Sequence, residues 1–280
     1  MSALLSILLG IIQGIAEFLP ISSSGHLSVL QNLLSLDYAE SEHLLFDVLL
    51  HFGTLCAVIF YYRKDIRRMC SETLCFISGR GGGTAEDGRL TSGARTVLFV
   101  IVGTIPLFFA LPFYEKIESL FYNTVFIGFA FLITGAIVFA SDKLKAGKKS
   151  EKTFTIVDAF IIGIAQMITL IPGLSRSGST TAVAIARGLD RDFAVRFSML
   201  LSIPAVLGSF LLSLFKALRG NVEWGAVPVY LIGMVFAAVV GYFAIKVMRY
   251  LVRQARLGKI AYYCWAVGIL TIILSLVLGL

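Results

Sequence analysis

The pattern of apolar and polar positions along the chain predicts two kinds of helical segment. Six segments are apolar from end to end over about 20 residues, the length that a helix needs to cross a membrane. These predicted spans are residues 44–62, 95–113, 121–140, 194–216, 226–246 and 260–280. In two other stretches, residues 2–36 and 154–187, polar and helix-breaking residues separate two short apolar runs. Because neither run is long enough to cross alone, each stretch is predicted to be a re-entrant helix–loop–helix hairpin.

The polar interruption of the first hairpin is repeated in the second. Gly-Ile-Ala-Glu at residues 14–17 corresponds to Gly-Ile-Ala-Gln at residues 163–166. Ser-Ser-Ser-Gly-His at residues 22–26 corresponds to Ser-Arg-Ser-Gly-Ser at residues 175–179. The chain is therefore predicted to be one membrane domain, residues 1–280, built from repeats 1–140 and 154–280.

The basic residues predict how these segments are oriented. All but four of the 24 Lys and Arg residues fall in predicted loops on one side, at residues 62–95, 141–153, 187–196 and 246–259. The positive-inside rule assigns this side to the cytoplasm and both termini to the outside. Each repeat has three spans after its hairpin, an odd number, so the second repeat begins on the opposite face. The predicted fold is an all-α polytopic membrane protein, with six transmembrane helices plus two re-entrant hairpins in an inverted-topology repeat.

Composition agrees with a membrane protein and narrows the partners. The chain is 58% hydrophobic and 15% charged, with a mean hydropathy of +0.88. Its formal net charge of +7 is explained by basic loops on one side of the membrane, so no nucleic acid partner is predicted. The four cysteines form no Cys-x-x-Cys pair, and neither disulfides nor zinc are indicated.

The second interruption has the chemistry of an anion site. Arg176 offers a planar fork of donors that matches phosphate oxygens, and helix N-termini add free N–H groups. The candidate phosphate ligands of the two interruptions are Ser22, Ser24, Ser175, Arg176, Ser177 and Gly178. Two structural alternatives stay open: Arg176 forms an ion pair with Glu17 that only joins the hairpins, and one serine in each interruption caps a helix.

The first interruption carries the candidate acid–base and metal groups. Glu17 and Gln13 share a helical face and could bind a divalent cation, or Glu17 could act as a general base. His26 follows the serines and could serve them as base or acid. Asp47 and His51 lie one helical turn apart on the next span, where they orient the site or sit near the outer interface.

The two motifs resemble a known family. QGIAEFLPISSSGH at residues 13–26 and PGLSRSGST at residues 172–180 resemble the two signature motifs of the undecaprenyl-pyrophosphate phosphatases, the integral-membrane bacitracin-resistance type. FDVLLHFGTLCAV at residues 46–58 and GTIP at residues 103–106 are also similar to that family. The resemblance covers essentially the whole chain.

The resemblance implies an activity and a location. The activity is hydrolysis of undecaprenyl pyrophosphate to undecaprenyl phosphate and inorganic phosphate, which recycles the lipid carrier for peptidoglycan synthesis and confers bacitracin resistance. It further implies the bacterial cytoplasmic membrane, with the active site open to the outer leaflet, and a polyprenyl pyrophosphate and membrane lipids as partners. A homodimer is left open. The inverted repeat keeps a lipid flippase or transporter as the alternative function.

The resemblance also assigns roles to residues. Glu17 matches the second acidic position of the first motif, Ser23 the serine proposed as nucleophile, and His26 the motif histidine. Arg176 matches the arginine that binds phosphate. The family requires a divalent cation, with Mg²⁺ or Ca²⁺ the usual candidates. Gln13 stands at the first acidic position, so the hypothesis of a metal site with two carboxylates is weakened. Glu17 becomes the more important of the two residues.

Overall fold

A computed structural model describes residues 2–33, 40–79, 90–145, 147–219 and 224–278 of the chain. In these residues the regular elements are helices, and an isolated β-bridge pairs Lys149 with Leu189. The α-helices are α1 (Ala3–Phe18), α2 (Ser23–Leu33), α3 (Glu40–Tyr61), α4 (Arg63–Ile77), α5 (Ser92–Phe108), α6 (Tyr114–Ser119), α7 (Thr124–Lys143), α8 (Ile156–Ile168), α9 (Arg176–Ala186), α10 (Arg191–Arg219), α11 (Val227–Arg253) and α12 (Gly258–Leu278). Short 3₁₀ helices are Leu111–Phe113, Leu120–Tyr122 and Trp224–Ala226.

The long helices make this a multi-pass membrane protein. Five helical stretches of the described chain are long and apolar enough to cross a membrane: Ser92–Tyr122, Thr124–Lys143, Arg191–Lys216, Trp224–Arg253 and Gly258–Leu278. A sixth candidate exists if α3 and α4 are counted as one span, although they meet at a bend of 75°. The five stretches overlap five of the predicted spans, and α3 occupies the position predicted for the remaining one, residues 44–62. The two remaining apolar helices, α1 and α8, are shorter than a span requires.

The sequence does not predict helix α4, because the basic residues of 62–95 indicate a loop. Its sequence combines basic residues in the first turns with apolar ones such as Ile66 and Met69, which pack towards the core. Such an amphipathic helix has too many charges to appear in a search for apolar spans. The glycine-rich part of the same loop, residues 80–89, lies outside the described residues.

The two helix–loop–helix units touch each other at their turns. One unit is α1 and α2 with residues 19–22 between them, and the other is α8 and α9 with residues 169–175 between them. A Cβ added at Gly178 would lie 2.9 Å from the Cβ of Pro20, and one added at Gly25 would lie 3.0 Å from the Cα of Gly173. Side chains at either glycine would force the turns apart. The interruptions that lie 149 residues apart in sequence are therefore neighbours in space.

Close backbone contacts hold each first hairpin helix against a long helix. An added Cβ at Gly10 of α1 would lie 2.3 Å from the carbonyl oxygen of Gly233 in α11. An added Cβ at Gly163 of α8 would lie 2.3 Å from the carbonyl oxygen of Gly103 in α5. Small residues allow helices to pack this closely inside a membrane, where apolar burial does not drive association. These contacts fix the two turns relative to the long helices.

The side of the molecule that carries the basic loops is called the basic face. On this face, a network of ion pairs centres on Glu151, in the loop between α7 and α8. Arg196 donates to Glu151 and, at 3.2 Å, to Asp65, while Arg68 donates to Glu151 at 3.0 Å. Burial raises the pKa of Glu151, but the hydrogen bond and charge of Arg196 and the charge of Arg68 outweigh it and hold the pKa below its ordinary value.

This network predicts a loss of stability in acid. A carboxyl whose pKa is lowered by folding stabilises the fold above its unfolded-state pKa, about 4.3 for Glu. That contribution is lost as the pH falls through the lower, folded-state value. Thermal unfolding should show a drop in Tm below about pH 4.3 that is smaller in Glu151→Gln. Glu118→Gln, which loses a half-exposed pair with Lys216 at 3.5 Å, should follow the wild-type curve. Equal acid sensitivity in wild type and Glu151→Gln would contradict the assignment.

Candidate active site

The carboxylate of Glu17 is the centre of the candidate site. Glu17 lies in the last turn of α1 and is only 8% exposed. Its Oε2 accepts hydrogen bonds from Ser23 Oγ at 2.6 Å and from Gln13 Nε2 at 3.1 Å. Its Oε1 accepts from Arg176 Nη2 of the other hairpin. One carboxylate therefore joins both helices of the first hairpin to the start of α9.

Arg176 still has donor capacity after pairing with Glu17. It is the first residue of α9, and its Nη1 is buried with no hydrogen-bond partner among the described residues. Buried guanidinium nitrogens are nearly always satisfied, so an unpartnered one marks a place where an acceptor can bind. The ion pair considered from the sequence is present, and it leaves one edge of the guanidinium available to an anion.

Two of the predicted phosphate ligands cap helices. Ser22 Oγ accepts from the backbone N–H of Gly25 at 3.4 Å at the start of α2. Ser175 Oγ accepts from the N–H of Gly178 at 3.2 Å at the start of α9. Ser22 has a φ of +68°, a left-handed conformation that is uncommon for residues other than glycine and makes the turn before α2 tight. One serine in each interruption thus acts as an N-cap, as the sequence predicts.

The other two predicted ligands lie beside these caps. Ser24 Oγ is 3.4 Å from Ser22 Oγ, and Ser177 Oγ is 3.3 Å from Ser175 Oγ. Ser177 Oγ also donates to the carbonyl of Leu19 at 3.3 Å, which ties the two turns together. The starts of α2 and α9 place their free N–H groups and partial positive charge close to Arg176. This combination suits an anion with several oxygens.

His26 is not hydrogen-bonded to Ser23 or to Glu17. Its Nδ1 is 2.7 Å from the carbonyl oxygen of Ser22, and its Nε2 is 2.8 Å from the hydroxyl of Tyr263 in α12. Because a carbonyl only accepts, Nδ1 carries the proton and Nε2 accepts from Tyr263. In this geometry the group that can take a proton from Ser23 is Glu17. Tyr263 was missed from the sequence, since nothing local distinguishes it from other aromatic residues of its helix.

His51 lies next to Glu17, whereas Asp47 bonds to a residue of α2. Gln13 Nε2 donates to His51 Nδ1 at 3.1 Å, and His51 Nδ1 is 3.6 Å from Glu17 Oε2. The carboxylate of Asp47 accepts from Gln31 Nε2 at 3.1 and 3.4 Å. His51 therefore contacts the site directly, while Asp47 braces α3 against α2.

The donors around Glu17 are compatible with a hard cation. The described residues contain no group of three or more His, Cys, Asp or Glu side chains suited to a metal. However, Gln13 is fully buried and its Oε1 has no partner among the described residues. A carboxylate and an amide oxygen are donors that Mg²⁺ and Ca²⁺ accept, together with substrate oxygens and water.

Comparison with known proteins identifies the family of this chain. The family model described as "Bacitracin resistance protein BacA" matches residues 6–270. A protein named undecaprenyl-diphosphatase from Halothermothrix orenii is 40% identical over 270 residues, covering 96% of both chains. Proteins of the same name from Methanobrevibacter smithii and Alkaliphilus metalliredigens are 37% identical (96% of both chains) and 36% identical (99% of this chain and 100% of theirs). The chain belongs to the bacitracin resistance protein BacA family.

Proposed function

We propose that the chain is an integral-membrane phosphatase, which hydrolyses undecaprenyl pyrophosphate to undecaprenyl phosphate and inorganic phosphate. The observation that carries the proposal is the Glu17 carboxylate, which holds Ser23 Oγ at 2.6 Å and Arg176 across the contact between the hairpins. In these roles, Ser23 would be the nucleophile, Glu17 the base and Arg176 the phosphate ligand of one buried site. The names of the relatives agree with this chemistry.

The terminal phosphate binds first to Arg176. Its unpartnered Nη1 and the N–H groups at the start of α9 receive the phosphate oxygens. The arriving phosphate competes with Glu17 for the guanidinium, which frees the carboxylate when the substrate is in place. Burial of the site makes each of these charge interactions stronger than it would be in water.

Ser23 then attacks the terminal phosphorus. Glu17 takes the hydroxyl proton as the Ser23 Oγ–P bond forms, and the bridging P–O bond breaks with its electron pair leaving on undecaprenyl phosphate. Water next attacks the phosphoserine, and Glu17 returns its proton to Ser23 Oγ as the Oγ–P bond breaks. Inorganic phosphate leaves with the oxygen and both protons of the water. Throughout, Arg176 neutralises charge on the oxygens of the transferred group. His26 holds the carbonyl of Ser22, and with it the start of α2, in position.

Direct attack by water is the alternative mechanism, and Ser23→Ala distinguishes the two. If Ser23 is the nucleophile, its removal should reduce phosphate release by about three orders of magnitude or more, since the covalent route is lost. Rapid quenching of the wild type should also trap phosphate on Ser23. Ser28→Ala, which removes a buried hydroxyl further along α2, should retain most of the activity. A rate within about tenfold of wild type in Ser23→Ala, with no trapped phosphoserine, favours water activated by Glu17.

A divalent cation, Mg²⁺ or Ca²⁺, is proposed as the cofactor. Glu17 and the free Oε1 of Gln13 would hold it. When bound, it would neutralise negative charge on the pyrophosphate. Gln13→Ala should therefore raise the cation concentration needed for half-maximal activity by about tenfold, the effect expected when one weak ligand is lost. Leu9→Ala, one helical turn earlier and also buried, should leave that concentration unchanged.

We further propose that the two hairpins are re-entrant and that the halves form an inverted repeat. The contact of α1 with α11 and the contact of α8 with α5 support this, because each hairpin helix packs on the corresponding span of the other half. The positive-inside rule supports both termini outside, with the catalytic site open to the outer leaflet. There the enzyme would regenerate the lipid carrier of peptidoglycan synthesis, and this recycling would confer resistance to bacitracin.

Proteoliposomes distinguish this activity from lipid transport. Purified protein is reconstituted with labelled undecaprenyl pyrophosphate, and released phosphate and transfer between leaflets are both followed. The proposal expects phosphate release that equals the undecaprenyl phosphate formed. Movement of intact pyrophosphate across the bilayer without release would instead assign the chain to the flippase alternative.

A further inference from the structure

A cavity of about 430 Å³ lies on the basic face of the molecule. It is formed where α3 gives way to α4, beside the first turns of α10 and the second half of α11. None of the residues around Glu17 lines it. Five basic side chains and two carboxylates contribute to its walls, so the lining carries an excess of positive charge.

Only part of that positive charge is neutralised by the protein. Asp192 accepts from Arg249 at 2.8 and 3.0 Å, and Asp65 accepts from Arg196 at 3.2 Å. The three other basic residues of the lining form no ion pair with a carboxylate among the described residues. They are Arg63, Lys64 and Lys246. Uncompensated cations that converge on a cavity are the basic requirement of an anion site.

Two tyrosines add hydroxyl groups. The Tyr61 hydroxyl accepts from Arg249 Nη1 at 3.1 Å, which leaves its own proton free to donate. Tyr62 is 2% exposed and lines the same cavity. Its hydroxyl is buried and has no hydrogen-bond partner in the described part of the chain. A buried hydroxyl without a partner is costly, and a bound ligand with acceptor oxygens would relieve that cost.

Exposed aromatic rings flank the cavity and indicate where its ligand comes from. Lys246 Nζ lies over the rings of Tyr242, at 4.6 Å, and Phe243, at 5.4 Å. The guanidinium of Arg63 lies over the ring of Phe60 at 4.7 Å. Phe60, near the end of α3, is 59% exposed, and Phe243, in the second half of α11, is 57% exposed. The free cations thus stand beside apolar surface that can contact acyl chains, which favours a lipid over a soluble ion.

We propose that this cavity binds the phosphate of an anionic membrane lipid headgroup. Lys64 and Lys246 pair with the phosphate oxygens, and the acyl chains lie against Phe60 and Phe243. Basic pockets between transmembrane helices on the cytoplasmic side are suited to such headgroups. Free phosphate has the same oxygen chemistry but makes no contact with the two exposed rings. The site is independent of the proposed phosphatase activity, since it shares no residue with the Glu17 site.

The test measures lipid binding by native mass spectrometry of the full-length protein in detergent, with phosphatidylglycerol and phosphatidylcholine as probes. Wild type is compared with the double variant Lys64→Gln/Lys246→Gln. The control is Lys145→Gln/Lys148→Gln, which removes the same charge from an exposed loop on the same face. Because each basic residue near an anionic headgroup contributes roughly a fivefold factor, the double variant should bind phosphatidylglycerol about 30-fold more weakly. The control should bind it like the wild type, and phosphatidylcholine should bind weakly to all three.

A second arm separates the two sources of phosphate. Inorganic phosphate at millimolar concentration should not displace phosphatidylglycerol from the wild type, and displacement would overturn the assignment to a lipid. Equal binding of phosphatidylglycerol by wild type and the double variant, or an equal loss in the loop control, would also overturn the proposal. If the double variant is not monodisperse, Lys246→Gln alone is tested, and its affinity for phosphatidylglycerol should be about fivefold lower than that of the wild type. Lys246→Arg, which keeps the positive charge, should bind phosphatidylglycerol like the wild type.

Discussion

Replacing Arg176 with alanine is expected to lower phosphate release from undecaprenyl pyrophosphate by at least about a thousandfold. An arginine that neutralises the transferred phosphoryl group contributes about 10³ to 10⁵ in rate to related reactions. The variant loses that charge and also loses the contact that joins α9 to Glu17. The rate is measured with purified protein in detergent under saturating lipid. Arg176→Lys should recover only part of it, since an ammonium keeps the charge but not the planar fork.

Arg187 provides a control that distinguishes a loss of catalysis in Arg176→Ala from a loss of folding. Arg187 closes the same helix at its other end, where its Nε donates to the buried carboxylate of Asp158 at 2.8 Å. Arg187→Ala should lower the thermal stability, although Lys149 still pairs with Asp158 at 3.0 Å. It should leave the turnover of the remaining folded protein near the wild-type value. A folded Arg176→Ala variant with a rate within tenfold of wild type would remove Arg176 from the mechanism.

Glu17→Gln is expected to have a comparable effect. The substitution keeps the shape of the side chain and an oxygen that can accept from Ser23, but it removes the negative charge that makes Glu17 a base. General base catalysis contributes about 10² to 10⁴ in rate, so a loss in that range should appear mainly in kcat. Phosphate release and KM are measured together, because loss of an acid–base group and loss of substrate binding divide differently between them.

Two outcomes test the role given to Glu17. Glu17→Asp keeps the negative charge on a side chain that is shorter by one methylene. It should retain more activity than Glu17→Gln. If Glu17 only joined the hairpins through its ion pair, both variants would lose stability, yet the folded fraction would turn over normally. Full activity per folded molecule in Glu17→Gln would therefore leave Glu17 as a structural residue.

The contact between the hairpin turns could be predicted, because the sequence places charged residues in apolar stretches. Glu17 and Arg176 are charges in stretches that are otherwise apolar, and each follows or precedes a helix-breaking proline. A charge inside the membrane carries a large free-energy penalty unless it pairs with an opposite charge or a ligand. The pairing of these two residues could therefore be expected without knowledge of the local structure. The structure brings them together as an ion pair. The capping roles of Ser22 and Ser175 were predictable for a similar reason, since each precedes the first turn of a helix.

Other features depend on contacts that no local pattern encodes. The sequence suggests that His26 serves the serine hydroxyls as base or acid, whereas its ring nitrogens bond to the backbone carbonyl of Ser22 and to Tyr263, which is 237 residues away in sequence. Whether Ser23 meets His26 or Glu17 depends on the path of the turn between α1 and α2, which includes the left-handed Ser22. Helix α4 is not evident from the sequence, because its many charged residues obscure the helical spacing of its apolar ones. For His26 and Ser23, tertiary packing selects among alternatives that the sequence leaves equal.

The most direct measurement of the central claim is phosphate release from undecaprenyl pyrophosphate by the purified wild-type protein, with and without a chelator of divalent cations. The lipid product is identified by mass spectrometry in the same reaction. The account predicts one inorganic phosphate for each undecaprenyl phosphate formed, with release that stops on chelation and resumes when Mg²⁺ or Ca²⁺ is restored. Absence of phosphate release by folded protein in the presence of both cations would contradict the claim that this site is a phosphatase.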